Sequence, residues 1–408
     1  MNICLLCRNF HKDRGGIETF TRDFALALVL QGHAVHIIAQ DIGEYNRRIL
    51  NPLIHVHHAA FKVKPFLGYW RLDHFFPIED LHYSKAVAAK VREVSQIHHL
   101  DIVETMDYFR QGYWLARQKN LPLFFRLHGW IFNRSHGRID PFPTLSLREL
   151  ISWKMQKDTL AASDGIAAVS ADTADFAKKI WNLHNKNVKV IHNGIDSQHF
   201  YPGETIRHQS VLFSGRLTRN KGIHTLAEAI PLVLNQCPQT TFIIAGKETT
   251  VQKDQSVIEM MKATVPADNF VCLGEISKQE LISYYQKSSI FVLPSIYESF
   301  GLVALEAMAS GCAVVASNVG GLKEIIENEK DGLLVPPADP VALAEAVIRL
   351  LKNPAFRKEL SVQAMAKVNQ KFTLERVVRE SIEAYEEAIA SFRNERPRQV
   401  LRGDIASA

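Results

Sequence analysis

At 408 residues the chain is too long for one ordinary core, and two domains are the expectation. Apolar content of 47% and charged content of 22% are those of a soluble globular protein, and no run approaches the roughly 18 apolar residues a membrane span needs. The net charge of +5 is uneven: residues 1–200 hold 25 Lys and Arg against 19 Asp and Glu, with 15 of the 17 histidines, so the first half favours an anionic partner.

The chain opens on a buried strand, Asn2 to Cys7, too short and too little basic at its start for a signal peptide, so a cytoplasmic location is expected. Five cysteines, an odd number, argue against a disulfide framework. Cys4 and Cys7 are spaced as a C-x-x-C, but residues three apart on a strand point to opposite faces, which predicts two core thiols.

A polar loop reaches Gly15-Gly16, and Phe20, Phe24, Ala27 and Leu28 then set a helical period from Ile17 to Leu30. Strands follow at Val35–Ala39, Leu53–Val56, Ile102–Glu104, Leu123–Leu127, Gly165–Val169 and Val188–Ile191, with a helix near Asp80 to Ile97. Such alternation predicts parallel sheets wrapped by helices. Two stretches break the rhythm. Phe61 to Ile78 and Phe132 to Arg148 mix aromatic and basic residues, and could grip an acceptor, touch an anionic bilayer or simply pack over the sheet edge.

Residues Asn193 to Gln209 read as a linker, after which the alternation restarts. Strands are expected at Val211–Ser214, Thr241–Ala245, Phe270–Leu273, Ile290–Leu293, Ala313–Ala316 and Leu333–Val335, with a helix from Ile223 to Asn235. Ser277 and Glu280 form a capping box, Asp339-Pro340 opens a helix, and a long helix runs from Thr373 to Phe392. The boundaries that follow are 1–200, 201–372, a terminal helix at 373–392 and a mobile tail at 393–408. Neither half opens with the G-x-G-x-x-G dinucleotide fingerprint.

Chemistry concentrates in the second half. Pro294 to Glu306 reads as strand end, polar loop and helix start, with carboxylates at Glu298 and Glu306. Amides near Phe300, Gly301 and Leu302 at a helix start favour an anion, and the two carboxylates suit a polyhydroxyl body attached to it. Gly215 to Gly222 carries Arg216 and Lys221, a fork and a point charge able to reach a pyrophosphate from two sides.

Together these segments resemble the retaining glycosyltransferases of the GT-B fold, family 4. The resemblance rests on Gly15-Gly16-Ile17-Glu18, His128-Gly129, Asn193-Gly194-Ile195-Asp196, Gly215-Arg216 through Lys221-Gly222, and the E-x7-E of Glu298 and Glu306. Gly320 to Ile325 and Gly332 to Val335 continue it, and it weakens over residues 41–120. It implies two Rossmann-like doubly wound domains facing each other across a cleft, the first for the acceptor and the second for a nucleotide-sugar donor. It implies that the terminal helix crosses back to the first domain, that Glu306 holds the ribose and Glu298 the transferred sugar, with Ser299 among the donor-binding residues, and that Arg216 and Lys221 neutralise the pyrophosphate. The amides of Phe300, Gly301, Leu302 and, from the other half, Gly16 would complete the phosphate cradle, with His128 beside the sugar and the incoming acceptor.

No Asp-x-Asp occurs in the chain, so neither a metal nor another cofactor is expected, and no nucleic-acid partner. The implied acceptor is a glycan, glycolipid or phosphorylated precursor of cell-surface polysaccharide, with peripheral contact at the inner face of the membrane. Competing readings are another GT-B enzyme, such as a nucleotide-sugar epimerase or phosphorylase, and a non-catalytic nucleotide-sugar-binding scaffold.

Overall fold

The computed structural model describes residues 1–10, 16–41, 52–61, 76–129, 146–203, 208–248 and 256–395. Most of both aromatic-basic stretches and the end of the chain after residue 395 lie outside them.

The first half is a parallel sheet flanked by helices. Its strands are β1 (Asn2–Leu6), β2 (Ala34–Ala39), β3 (Ile54–His58), β4 (Ile102–Met106), β5 (Leu123–Leu127), β6 (Gly165–Ala168) and β7 (Val188–Val190), in the order β3-β2-β1-β4-β5-β6-β7. Helices α1 (Gly16–Leu30), α2 (Ile78–His98), α3 (Tyr113–Gln118), α4 (Leu147–Ala162) and α5 (Ala171–Trp181) connect them. Both faces of β1 are covered, which is why its sequence is apolar throughout. Ile3 and Leu5 join the core under α1, whereas Cys4 and Leu6 join the one under α2. Cys4 and Cys7 therefore fall on opposite sides of the sheet, both unpaired, and burial pushes the Cys7 thiol up to about 12.

The second half repeats the plan. Strands β8 (His208–Ser214), β9 (Thr241–Ala245), β10 (Phe270–Gly274), β11 (Ser288–Leu293), β12 (Ala313–Ser317) and β13 (Leu333–Val335) pair in parallel as β10-β9-β8-β11-β12-β13. The helices are α6 (Ile223–Gln236), α7 (Val257–Thr264), α8 (Lys278–Lys287), α9 (Leu302–Ala309), α10 (Leu322–Ile325), α11 (Pro340–Lys352) and α12 (Pro354–Lys371). In each sheet the first strand lies between its second and a later one, so both halves have a topological switch point at the carboxyl ends of their strands.

The last helix, α13 (Leu374–Asn394), returns to the first sheet, where Val377, Val378, Ala384, Tyr385 and Ala388 complete the core beneath α1. Its entry is fixed where Ile195 bridges Thr373, and a Cβ on Gly194 would stand 2.5 Å from the Thr373 carbonyl oxygen. The crossing needs glycine there because backbone meets backbone.

Six helices, α3, α4, α5, α7, α10 and α12, had no named counterpart in the sequence. α4 starts where an aromatic-basic loop was read to continue to Arg148, and α12 follows α11 at Pro354. A signal for α4 was present: Ser146 and Glu149 form a full capping box, each side chain taking the other's backbone amide.

Candidate functional site

The loops at the carboxyl ends of the two sheets meet. Ser170 Oγ, after β6, donates to the Ser299 carbonyl at 2.8 Å. Glu324 of α10 accepts the Ala171 and Asp172 amides that open α5, and the His192 ring lies 2.8 Å from the same carboxylate. Lys278 of α8 reaches Asp23 of α1 at 2.8 Å, and Leu302 packs against the first half's core.

In the second half, three close backbone approaches hold the loops that follow β8 and β11. A Cβ on Gly222 would stand 1.7 Å from the Pro294 oxygen, and one on Gly320 would stand 1.9 Å from that of Glu298, with both glycines at positive φ. Ile296 N also donates to the Asn220 carbonyl at 2.9 Å. The cationic loop is thereby pinned to the carboxylate loop, and Lys221 Nζ lies 2.5 Å from Glu298 Oε2, which also faces Ser295 Oγ at 3.4 Å. Glu298 is 9% exposed, whereas Arg216 stands exposed on its loop. Across the cleft from that guanidinium is Tyr108, whose phenol feels both Arg216 and Glu18.

Gly301, at φ +106°, caps α9 from the left-handed region, and the first intrahelical bonds begin at Ala304. The amides of Leu302 and Val303 therefore stand ahead of the ladder at the positive end of the helix. Phe300 is 2% exposed and its ring stacks on His192, so the backbone there is anchored from below. Glu306 sits in the second turn of α9 and accepts from Tyr285 OH at 3.2 Å, which in turn shares a 2.8 Å hydrogen bond with Ser214 Oγ. Burial pushes its carboxyl up to about 7, opposed by the nearby Lys278 ammonium. That acid is poised between its two protonation states near neutrality.

The first half contributes Gly16, exposed at the start of α1, and His128, 7% exposed at the end of β5. His128 is aimed by its backbone. Asp107 accepts the His128 amide at 3.0 Å and the Gly129 amide at 2.8 Å, while the ring stands edge-on to Phe20. Its Nε2 is buried and has no hydrogen-bond partner among the described residues. Desolvation, with the Arg126 charge below, holds the ring neutral by lowering its pKa to about 3. Arg126 is fully buried and forks onto Glu104 at 2.9 and 2.8 Å, and Ser381 and Tyr385 of α13 close this network.

Four contributors were not singled out in the sequence. Asp107, Tyr285, Ser295 and Glu324 act on site residues through contacts that chain spacing does not announce. Among the described residues, no group of three metal-binding side chains stands ready-made at this site or elsewhere.

Two family descriptions cover the chain: Glycosyltransferase Family 4 matches residues 14–199, and Glycosyl transferases group 1 matches residues 199–367. A glycogen synthase of Mycobacterium tuberculosis is 31% identical over 289 residues, which are 70% of this chain and 67% of that one. Among solved structures, sucrose-phosphate synthase from Thermosynechococcus elongatus superposes with a TM-score of 0.77 at 24% identity, covering 96% of this chain and 99% of that one. An Anabaena protein in complex with UDP-glucose gives 0.70 at 19% identity, covering 94% and 99%. These likenesses at low identity show the GT-B fold.

Proposed function

The chain belongs to the group 1 glycosyltransferases of family 4, and from that premise we propose that it moves a sugar from a nucleotide-sugar donor to a hydroxyl of a glycan, glycolipid or phosphorylated acceptor, with retention and without a metal. The observation that carries this reading is the single cluster of Lys221, Glu298 and the α9 start, backed by Glu306 within the same helix. An ammonium has three donors, so Lys221 can keep Glu298 and serve a phosphate oxygen together. Arg216, on an exposed loop, is free to fold onto the other phosphate. Charge developing on the leaving pyrophosphate would then meet two cations and the helix dipole, the role a divalent ion plays elsewhere.

In this reading Glu298 would hold hydroxyls of the transferred sugar and Glu306 the ribose. Same-face attack would follow through an oxocarbenium-like transition state, the leaving phosphate taking the acceptor proton. Neutral His128, with an unshared Nε2, offers an acceptor or donor to a sugar hydroxyl rather than a charge. The structural relative bound to UDP-glucose makes uridine donors the first to try. The basic first half favours an anionic acceptor; turnover with neutral sugars and indifference to salt would count against that.

The test is a donor screen across UDP-, GDP- and ADP-sugars, reading nucleotide release with and without acceptor, in EDTA. Glu298→Ala is expected to lower turnover and Glu306→Ala to weaken nucleotide binding. Conversion of donor without acceptor would favour an epimerase, inversion at the anomeric carbon would reject retention, and rescue of an EDTA-silenced enzyme by magnesium would reject metal independence.

A further inference from the structure

The chain crosses between the halves twice, before β8 and again before α13, and the two crossings touch. Ile195 N donates to the Phe372 carbonyl at 2.9 Å, and Leu374 N donates to that of Ile195 at 3.3 Å. His192 stands beside this pair. Its ring is edge-on to Phe372 and stacked on Phe300 of the carboxylate loop, with each ring centre 5.7 Å away. The same imidazole meets Glu324, whose Oε2 lies 2.8 Å from its Nε2.

Glu324 gives its other contacts to α5. Ser170, the N-cap of that helix, accepts the third amide, Thr173 N, at 3.1 Å, which leaves the first two to be satisfied from elsewhere. Glu324 takes both from the second half, Ala171 N at 2.9 Å and Asp172 N at 3.1 Å. The turn that carries Glu324 is in turn tied to the carboxylate loop. Gly321 N donates to the Glu298 carbonyl at 3.0 Å, and a Cβ on Gly321 would stand 2.5 Å from the Ser299 carbonyl oxygen. One carboxylate thus joins the linker, the start of α5 and the backbone that holds Glu298.

We propose that Glu324 is a positioning residue for the transfer step: it sets the first half against the carboxylate loop and so presents His128 and Gly16 to the donor. This role rests on the donor-site reading of that loop. Stability is not a sufficient reason for the arrangement. The Glu324 and His192 side chains are 21% and 28% exposed, and ion pairs open to water contribute little. Ala171 is itself exposed, so water could satisfy its amide without a side chain reaching across from another element. Removing the carboxylate would leave both halves folded, with Lys221 and Glu306 still in place for the nucleotide. The register between the halves would be lost, and a displacement of about 1 Å at a reacting centre can slow a step about a hundredfold.

Full-length Glu324→Ala and Glu324→Gln are compared with wild type by small-angle scattering, by titration with UDP, GDP and ADP, and by turnover. Glu324→Ala is expected to have a larger radius of gyration, nucleotide affinity within about twofold of wild type and a kcat lower by about tenfold or more. Glu324→Gln keeps one acceptor oxygen and is expected to fall between the two. Lys323→Ala, which loses an exposed 3.7 Å pair with Asp172 across the same boundary, is expected to match wild type. An unchanged radius of gyration in Glu324→Ala, or a loss of nucleotide affinity equal to the loss of kcat, overturns the role. If wild type turns over no donor, the radius alone decides, so failure of the proposed reaction and failure of this role are read apart.

Discussion

The two halves of the molecule position their site residues by opposite means. In the second half, backbone holds backbone: Gly222 and Gly320 sit against carbonyl oxygens, and the functional side chains follow one another along two short segments. In the first half a buried ionic network does the holding. Arg126 of β5 and Glu104 of β4 are joined by Ser381 and Tyr385 of α13, and Asp107 fixes the two amides that aim His128. Glycine packing is local and rigid, whereas a buried charge is strong only while every partner is present.

The contrast is broken most directly at Arg126. Arg126→Met leaves the Glu104 carboxyl buried without its cation, and is expected to cost about 3–5 kcal/mol in chemical denaturation. Replacing Glu104 as well, by Leu, should recover much of that loss. If the single and double variants are equally unstable, the network is not what holds this half.

Glu306 gives the next largest effect, of opposite sign. Its carboxyl is raised from 4.5 to about 7, so the folded chain keeps a proton that the unfolded chain has released. Stability should therefore be highest below pH 4.5 for this group and decline as pH rises to about 7. Glu306→Gln is expected to stabilise the protein by about 3 kcal/mol at pH 8 and by almost nothing at pH 4.5, while weakening nucleotide binding. Equal effects at both pH values would show that the carboxylate is not strained.

Gly320→Ala sharpens the other side. The added methyl displaces the Glu298 carbonyl, and a shift of that kind is expected to lower turnover about a hundredfold with little change in helix content. The smallest effect is at Asp107. Asp107→Asn keeps one amide bond and turns an NH₂ toward the other, which should cost about 1–2 kcal/mol and lower kcat while donor affinity holds. A change in donor affinity alone would remove Asp107 from the aiming of His128.

The same contrast explains what was legible in the chain. Strand and helix alternation and the carboxylate and cation segments of the second half could be read, because glycine loops and helix starts are short-range patterns. Arg216, Lys221, Glu298 and Glu306 fall within stretches a reader can inspect at once. The support for His128 was not legible. Arg126 finds Glu104 22 residues away and Ser381 255 residues away, and no periodicity reports such a pairing. Tyr285, which donates to Glu306 from α8, is hidden for the same reason. The helix α4 was lost to a different cause, since Arg148 in its first turn was read as the end of a loop while its capping box went unread.

The return of α13 to the first sheet makes the sequence boundary between the halves a poor place to cut. Arg126 and Glu104 are read out early during synthesis, but Ser381 and Tyr385 emerge only at the far end of the chain. A nascent first half must therefore wait, with a gap along α1, until nearly everything else has been made. For the same reason a chimera that exchanges acceptor halves between relatives must carry the terminal helix with the first sheet, so that the inherited module is discontinuous in sequence and whole only in space.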